Sequence, residues 1–105
     1  MQATFEALAE PTRRRILDEL RGAERSVGDL VVSLALSQPA VSKHLRVLRE
    51  AGLVAMRADA QRRIYRVKPE RLHELAEWLA TYRQFWAERL DALEHHLESE
   101  ANDGR

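Results

Sequence analysis

The sequence predicts a mainly α-helical domain carrying one small β-hairpin, and three observations support that prediction. Apolar residues recur at steps of three and four over most of the chain. Breaks at Pro11, over residues 22–26 and over residues 35–37 keep the first helices short. A single cluster of strand formers, Ile64, Tyr65 and Val67, interrupts the helical pattern before one long helix closes the chain. The 105 residues, 45% of them hydrophobic, suffice for one modest core and leave no room for a second domain. One domain is therefore expected over residues 1–98, followed by a polar, frayed tail over 99–105.

The first helix is expected over residues 2–9, with Phe5, Leu8 and Ala9 as its apolar stripe. Pro11 opens the second near its first position, where the missing N–H is not needed, and Ile16, Leu17 and Leu20 form its buried face before Gly22. Ser26 followed by Asp29 approximates a capping box and starts a third helix through Leu30, Val31 and Leu34. The fourth, Gln38 to Glu50, has the clearest local logic. Ser37 is a good N-cap, Pro39 lies in the first turn, Leu36 and Val41 can form a hydrophobic staple, and Gly52 ends the helix. Residues 53–57 and 62–67 then read as a hairpin, although the connection over 58–61 lacks the glycine of a tight turn. From Pro69 to about residue 98, Leu72, Leu75, Leu79, Tyr82, Trp86, Leu90, Leu93 and Leu97 follow at steps of three or four with no glycine or proline between them.

Charge narrows the function. The formal net charge is zero, but residues 1–37 carry −1, residues 38–68 carry +6 and residues 69–105 carry −5. A basic middle beside an acidic tail is what a chain that meets phosphate with its middle third would show. The absence of cysteine excludes a disulfide framework and a thiolate metal site, and a reducing cytoplasm is the simplest location. No apolar run approaches the roughly 18 residues of a membrane span, and residues 1–10 lack the pattern of a signal peptide. A soluble cytoplasmic protein with no membrane partner is expected. Hydrolase chemistry finds no support: there is no cysteine nucleophile, no Gly-rich phosphate loop and no serine placed with a histidine and a carboxylate.

At about 100° per residue, Val41, Leu45 and Leu48 fall on one side of the fourth helix, and Pro39, Ser42, Lys43 and Arg46 on the other. Ser, Lys and Arg can hydrogen-bond phosphates or base edges, and the amide of Gln38 at the helix start can pair with adenine. An ordinary amphipathic surface helix explains the apolar face equally well. It does not explain the order of a short helix, a three- or four-residue turn, a capped basic helix and an Arg-rich hairpin. His44 falls beside the core face, so a packed histidine and a DNA contact stand equally open. Arg13, Arg14 and Arg15 point in three directions and can all serve as solvated charge, and at most one of them is expected to meet phosphate.

Four stretches carry a family resemblance: Ala7-Leu8-Ala9-Glu10-Pro11-Thr12-Arg13-Arg14-Arg15-Ile16-Leu17, then Leu36-Ser37-Gln38-Pro39-Ala40-Val41-Ser42-Lys43-His44-Leu45, then Leu48-Arg49-Glu50-Ala51-Gly52-Leu53-Val54, and finally Tyr65-Arg66-Val67. With these residues the chain resembles the ArsR/SmtB family of winged helix-turn-helix transcriptional repressors. The resemblance implies that Ser37, Gln38, Ser42, Lys43 and His44 read DNA, and that Arg62 and Arg63 lie on a wing near the minor groove or its phosphates. It also assigns the last helix, with the first, to a two-fold homodimer. Phe5, Leu8, Leu79, Tyr82, Trp86, Leu90, Leu93 and Leu97 are the interface residues expected. The partner is then a palindromic double-stranded DNA operator read in successive major grooves about 34 Å apart.

The family's metal positions are only half present. Where arsenic sensors carry a Cys-x-Cys pair, this chain has Ser26 and Gly28. On the last helix His95 and Glu98 match one half of the zinc-sensing pattern, while the other half falls near residues 81–83, which hold no ligands. Asp91, His95, His96 and Glu98 remain available for adventitious zinc. The resemblance is closest to the metal-independent members, with no cofactor and an unknown inducer. A metal-responsive repressor, and a winged-helix interaction module without specific DNA binding, are the alternatives.

Overall fold

A computed structural model describes residues 1–103; Gly104 and Arg105, the end of the expected tail, lie outside the described residues. The elements are α1 (Gln2–Leu8), α2 (Pro11–Leu20), β1 (Arg25–Ser26), α3 (Val27–Leu34), α4 (Gln38–Glu50), β2 (Val54–Asp59), β3 (Arg62–Val67) and α5 (Pro69–Asp103). They divide into two compact units, Met1–His73 and the remainder of α5 from Glu74.

In the first unit, local chemistry sets several of the helix boundaries. Glu10 caps α2, its carboxylate accepting the Arg13 N–H at 3.1 Å, and Pro11 stands at the helix start. The arginine run then turns back on α1. Arg13 Nε donates to the Ala7 carbonyl at 2.6 Å and Arg14 Nη1 to the Leu8 carbonyl at 2.6 Å, filling acceptors that the short helix leaves open. Ser26 and Asp29 complete the expected capping box at 3.0 Å in both directions, and α3 ends on Ala35 in the left-handed region at φ 55. Ser37 Oγ accepts the Ala40 N–H at 3.3 Å to start α4, which ends before Gly52 at φ 78.

The hairpin forms with Met56 opposite Tyr65 and Asp59 opposite Arg62. Ala60 at φ 56 takes the turn conformation that a glycine would adopt more easily. A strand that the sequence did not reveal, β1, adds to the other edge of β3 through Arg25–Tyr65 and Ser26–Ile64, giving the antiparallel order β1-β3-β2. Beneath the sheet and helices lies one core. Ile16, Leu30, Val41, Leu45, Leu48 and Leu53 are fully buried, with Leu20, Leu34, Val54 and Tyr65 around them.

Two expectations are corrected. The buried face of α1 is Thr4 and Ala7, not a stripe of Phe5, Leu8 and Ala9; Phe5 and Ala9 are exposed and Leu8 half-buried. Small side chains at positions i and i+3 let this short helix approach the core closely. The last helix continues past residue 98 to Asp103, so residues 99–103 of the expected tail are helical. In the second unit Trp78, Leu79, Tyr82, Phe85, Trp86, Leu90, Leu93 and Leu97 are all exposed, between 41% and 61%. Trp78 and Tyr82 meet edge to face at 5.1 Å, and Arg89 lies 4.8 Å above the Phe85 ring. Among the described residues no helix is long and apolar enough to cross a membrane.

Candidate nucleic-acid interface

Burying Val41, Leu45 and Leu48 fixes the rotation of α4 and turns its polar face outward. That face forms one wall of an open trough of about 960 Å³. Gln38, Pro39, Ser42, Lys43, Arg46 and Arg49 line it from α4, Gln61, Arg62 and Arg63 from the hairpin, and Ser26, Val27 and Gly28 from the start of α3. Tyr65, itself buried, closes the floor. Lys43, Arg46, Arg49 and Arg63 are exposed and, among the described residues, none of them is in an ion pair. Uncompensated cations along an open trough, with amide and hydroxyl groups between them, suit a polyanion that also presents hydrogen-bonding edges.

Two ion pairs frame the hairpin. Arg62 Nη2 lies 3.3 Å from Asp29 Oδ2, and Arg57 Nη2 lies 2.7 Å from Glu24 Oε2. The backbone N–H and hydroxyl of Ser26 hold the Asp29 carboxyl below the usual carboxylate range, with Arg62 and Arg25 adding to the effect against partial desolvation. The hydrogen bond and charge of Glu24 raise Arg57 further above its ordinary value.

The trough thus gathers Gln38, Pro39, Ser42, Lys43, Arg46, Arg62 and Arg63 from the residues expected to meet DNA. Ser37 and His44 are not among its lining. The Ser37 hydroxyl is engaged as the α4 cap. His44 turns to the other side, its side chain 22% exposed, with Nδ1 at 3.8 Å from Glu10 Oε2 and no hydrogen-bond partner. Burial alone would raise the Glu10 carboxyl, but the Arg13 N–H and the charge of His44 hold it lower than usual. Arg49 and Gln61 were missed by the sequence reading. Arg49 follows Arg46 by three residues, so helical spacing could have found it; Gln61 joins the site only through the bend of the hairpin.

Phe5 is 39% exposed on α1 beside half-buried Leu8, whereas Leu79, Tyr82, Trp86, Leu90, Leu93 and Leu97 are 46–61% exposed along the second unit. Ser26 and Gly28 contribute to the trough wall. His96 Nε2 lies 3.1 Å from Glu100, and among the described residues no three His, Cys, Asp or Glu side chains gather as a metal-holding group.

Comparison with known proteins agrees with the geometry. The sequence profile of the bacterial regulatory proteins of the arsR family matches residues 10–55. The HTH-type transcriptional regulator Rv2034 of Mycobacterium tuberculosis is 38% identical over 99 residues, covering 94% of this chain and 90% of the relative. The transcriptional repressor SdpR of Bacillus subtilis is 30% identical over 78% of this chain and 91% of its own length. Among solved structures, an ArsR-like transcriptional regulator from Rhodococcus sp. RHA1 superposes with a TM-score of 0.73 at 34% identity, covering 93% of this chain and 90% of that one.

Proposed function

Because the chain belongs to the ArsR/SmtB family of DNA-binding transcriptional regulators, which are not enzymes, we propose that it is a homodimeric repressor that occupies a palindromic operator. The observation that carries this reading is the cationic trough between α4 and the hairpin. In this reading α4 enters the major groove, with Gln38 and Ser42 toward base edges and Lys43, Arg46, Arg49 and Arg63 toward phosphates. The hairpin is the wing, lying along the flanking backbone.

A single α4 covers only one half-site. Two-fold symmetry would present two of them about 34 Å apart, one helical turn of DNA, and so would match a palindrome. The exposed apolar stripe of α5 supports a second copy as partner, since a monomeric soluble protein rarely leaves so many large apolar side chains along one element to solvent. On the family resemblance, we assign Phe5 and Leu8 of α1 to the dimer as well. Bound over a promoter, the dimer would exclude polymerase.

The test is a gel shift with the DNA upstream of the chain's own gene, at physiological salt, against a scrambled duplex of equal length. Preferential binding to the upstream sequence is expected. Equal affinity for both duplexes would overturn the operator reading.

A further inference from the structure

The tip of the hairpin carries two neighbouring arginines whose surroundings differ. Arg63 is exposed and, among the described residues, in no ion pair. Arg62 reaches across to α3 and places Nη2 at 3.3 Å from Asp29 Oδ2. That oxygen is fixed, because it also accepts the Ser26 N–H at 3.0 Å while Ser26 Oγ accepts the Asp29 N–H at 3.0 Å. Ser26 belongs in turn to β1 and is paired with Ile64, two residues from Arg62. On the other strand, Arg57 binds Glu24 just before β1. Both strands of the hairpin are therefore tied by side chains to the segment that flanks β1.

Resting on the reading of the trough as a DNA interface, we infer that Arg62 is a positioning residue, latched by Asp29 to hold the wing over the trough, and that Arg63 is the wing's phosphate ligand. The Asp29 carboxyl is held ionised by its Ser26 donors and stands at the edge of a trough that takes in a polyanion. Left bare, it would repel the nearest phosphate, and Arg62 is the cation at bonding distance. Moving Arg62 to a phosphate would exchange one anionic partner for another and uncover the carboxylate. Arg63 gives up no such partner on meeting a phosphate, so its contact is a net gain and displaces a DNA counterion.

The two roles separate in the salt dependence of binding to the operator duplex. Arg63→Gln should flatten the slope of log K against log salt by about 0.9 for each wing engaged. Arg62→Gln should weaken binding while changing the slope by much less than about 0.9, because a cation already paired with Asp29 neutralises no phosphate. Asp29→Asn keeps a side-chain carbonyl for the Ser26 N–H and releases the latch without baring a carboxylate, so it should weaken binding by less than Arg62→Gln, and the double variant should match Asp29→Asn. Arg62→Lys, which keeps the charge, should restore much of the loss. A flatter slope with Arg62→Gln equal to that with Arg63→Gln, or tighter binding with Asp29→Asn, overturns the assignment.

A second measurement needs no DNA. In the free protein, backbone order parameters over residues 58–63 should fall in Arg62→Gln and Asp29→Asn and stay unchanged in Arg63→Gln. Unchanged values in all three overturn the latch whatever the DNA result. Lowered values in a protein whose wild type binds no duplex would instead overturn the DNA reading alone.

Discussion

Raising the salt concentration tests how many cations the trough commits to phosphate. Lys43, Arg46, Arg49 and Arg63 are the exposed lining cations outside ion pairs, and Arg62 is held by Asp29. Each phosphate neutralised contributes about 0.9 to the slope of log K against log salt, so one trough gives about −3.6 and a dimer using both about −7. Between about 50 and 200 mM salt, the dimer should then lose roughly four orders of magnitude in affinity and a single trough about two. Fluorescence anisotropy with a labelled operator duplex, titrated at several potassium chloride concentrations, measures the slope directly. Lys43→Gln in both copies should flatten it by about 1.8. A wild-type slope near −3.6 would refute simultaneous use of two troughs. A slope shallower than about −2, or one that Lys43→Gln leaves unaltered, would refute the trough as the phosphate-binding surface.

Three further outcomes follow from the same geometry. Leu45→Ala empties a fully buried position under α4 and should cost about 2–5 kcal/mol, read from urea denaturation; a loss below about 0.5 kcal/mol would mean that Leu45 does not anchor the helix. Leu90→Glu, at a 61% exposed position of α5, should convert a dimer to monomer in sedimentation velocity while far-ultraviolet circular dichroism is retained; a persisting dimer would place the interface elsewhere. Asp29 and Glu10 have carboxyls held below their ordinary range, so their contribution to stability is present above the unfolded carboxylate values and is lost as pH falls through the lowered ones. Denaturation midpoints of Asp29→Asn should therefore fall less steeply than wild type on acidification below about pH 4, and parallel curves would contradict that linkage.

Features written in neighbouring residues were legible in the sequence. Ser37, Pro39, the Leu36–Val41 spacing and Gly52 define α4 within one stretch, and its observed bounds match the expected ones. Helical spacing likewise separated Ser42, Lys43 and Arg46 from the core face, because that separation depends only on rotation about the helix axis. What depends on tertiary approach was not legible. Arg25 and Ser26 carry no strand signal, and they become β1 because β3 offers a free edge where α3 begins. Nothing local shows that the bend between α1 and α2 brings Arg13 and Arg14 onto α1 carbonyls, so these residues read as solvated charge. A seven-residue helix can present either of two faces, and the choice of Thr4 and Ala7 over Phe5 was made by the body it packs on. His44 lay on the boundary between the two faces of α4, and Glu10, distant in sequence, stands on the side it took.

The uncovered side of α5 bears on dosage. If a second copy covers it, the species competent for DNA grows as the square of the amount of chain while the protein is scarce. Halving synthesis would then lower that species about fourfold in the dilute limit. A gene controlled in this way would respond to repressor supply with a threshold, and the concentration at which it falls would be set by the apolar residues Trp86, Leu90, Leu93 and Leu97, none of which needs to touch DNA.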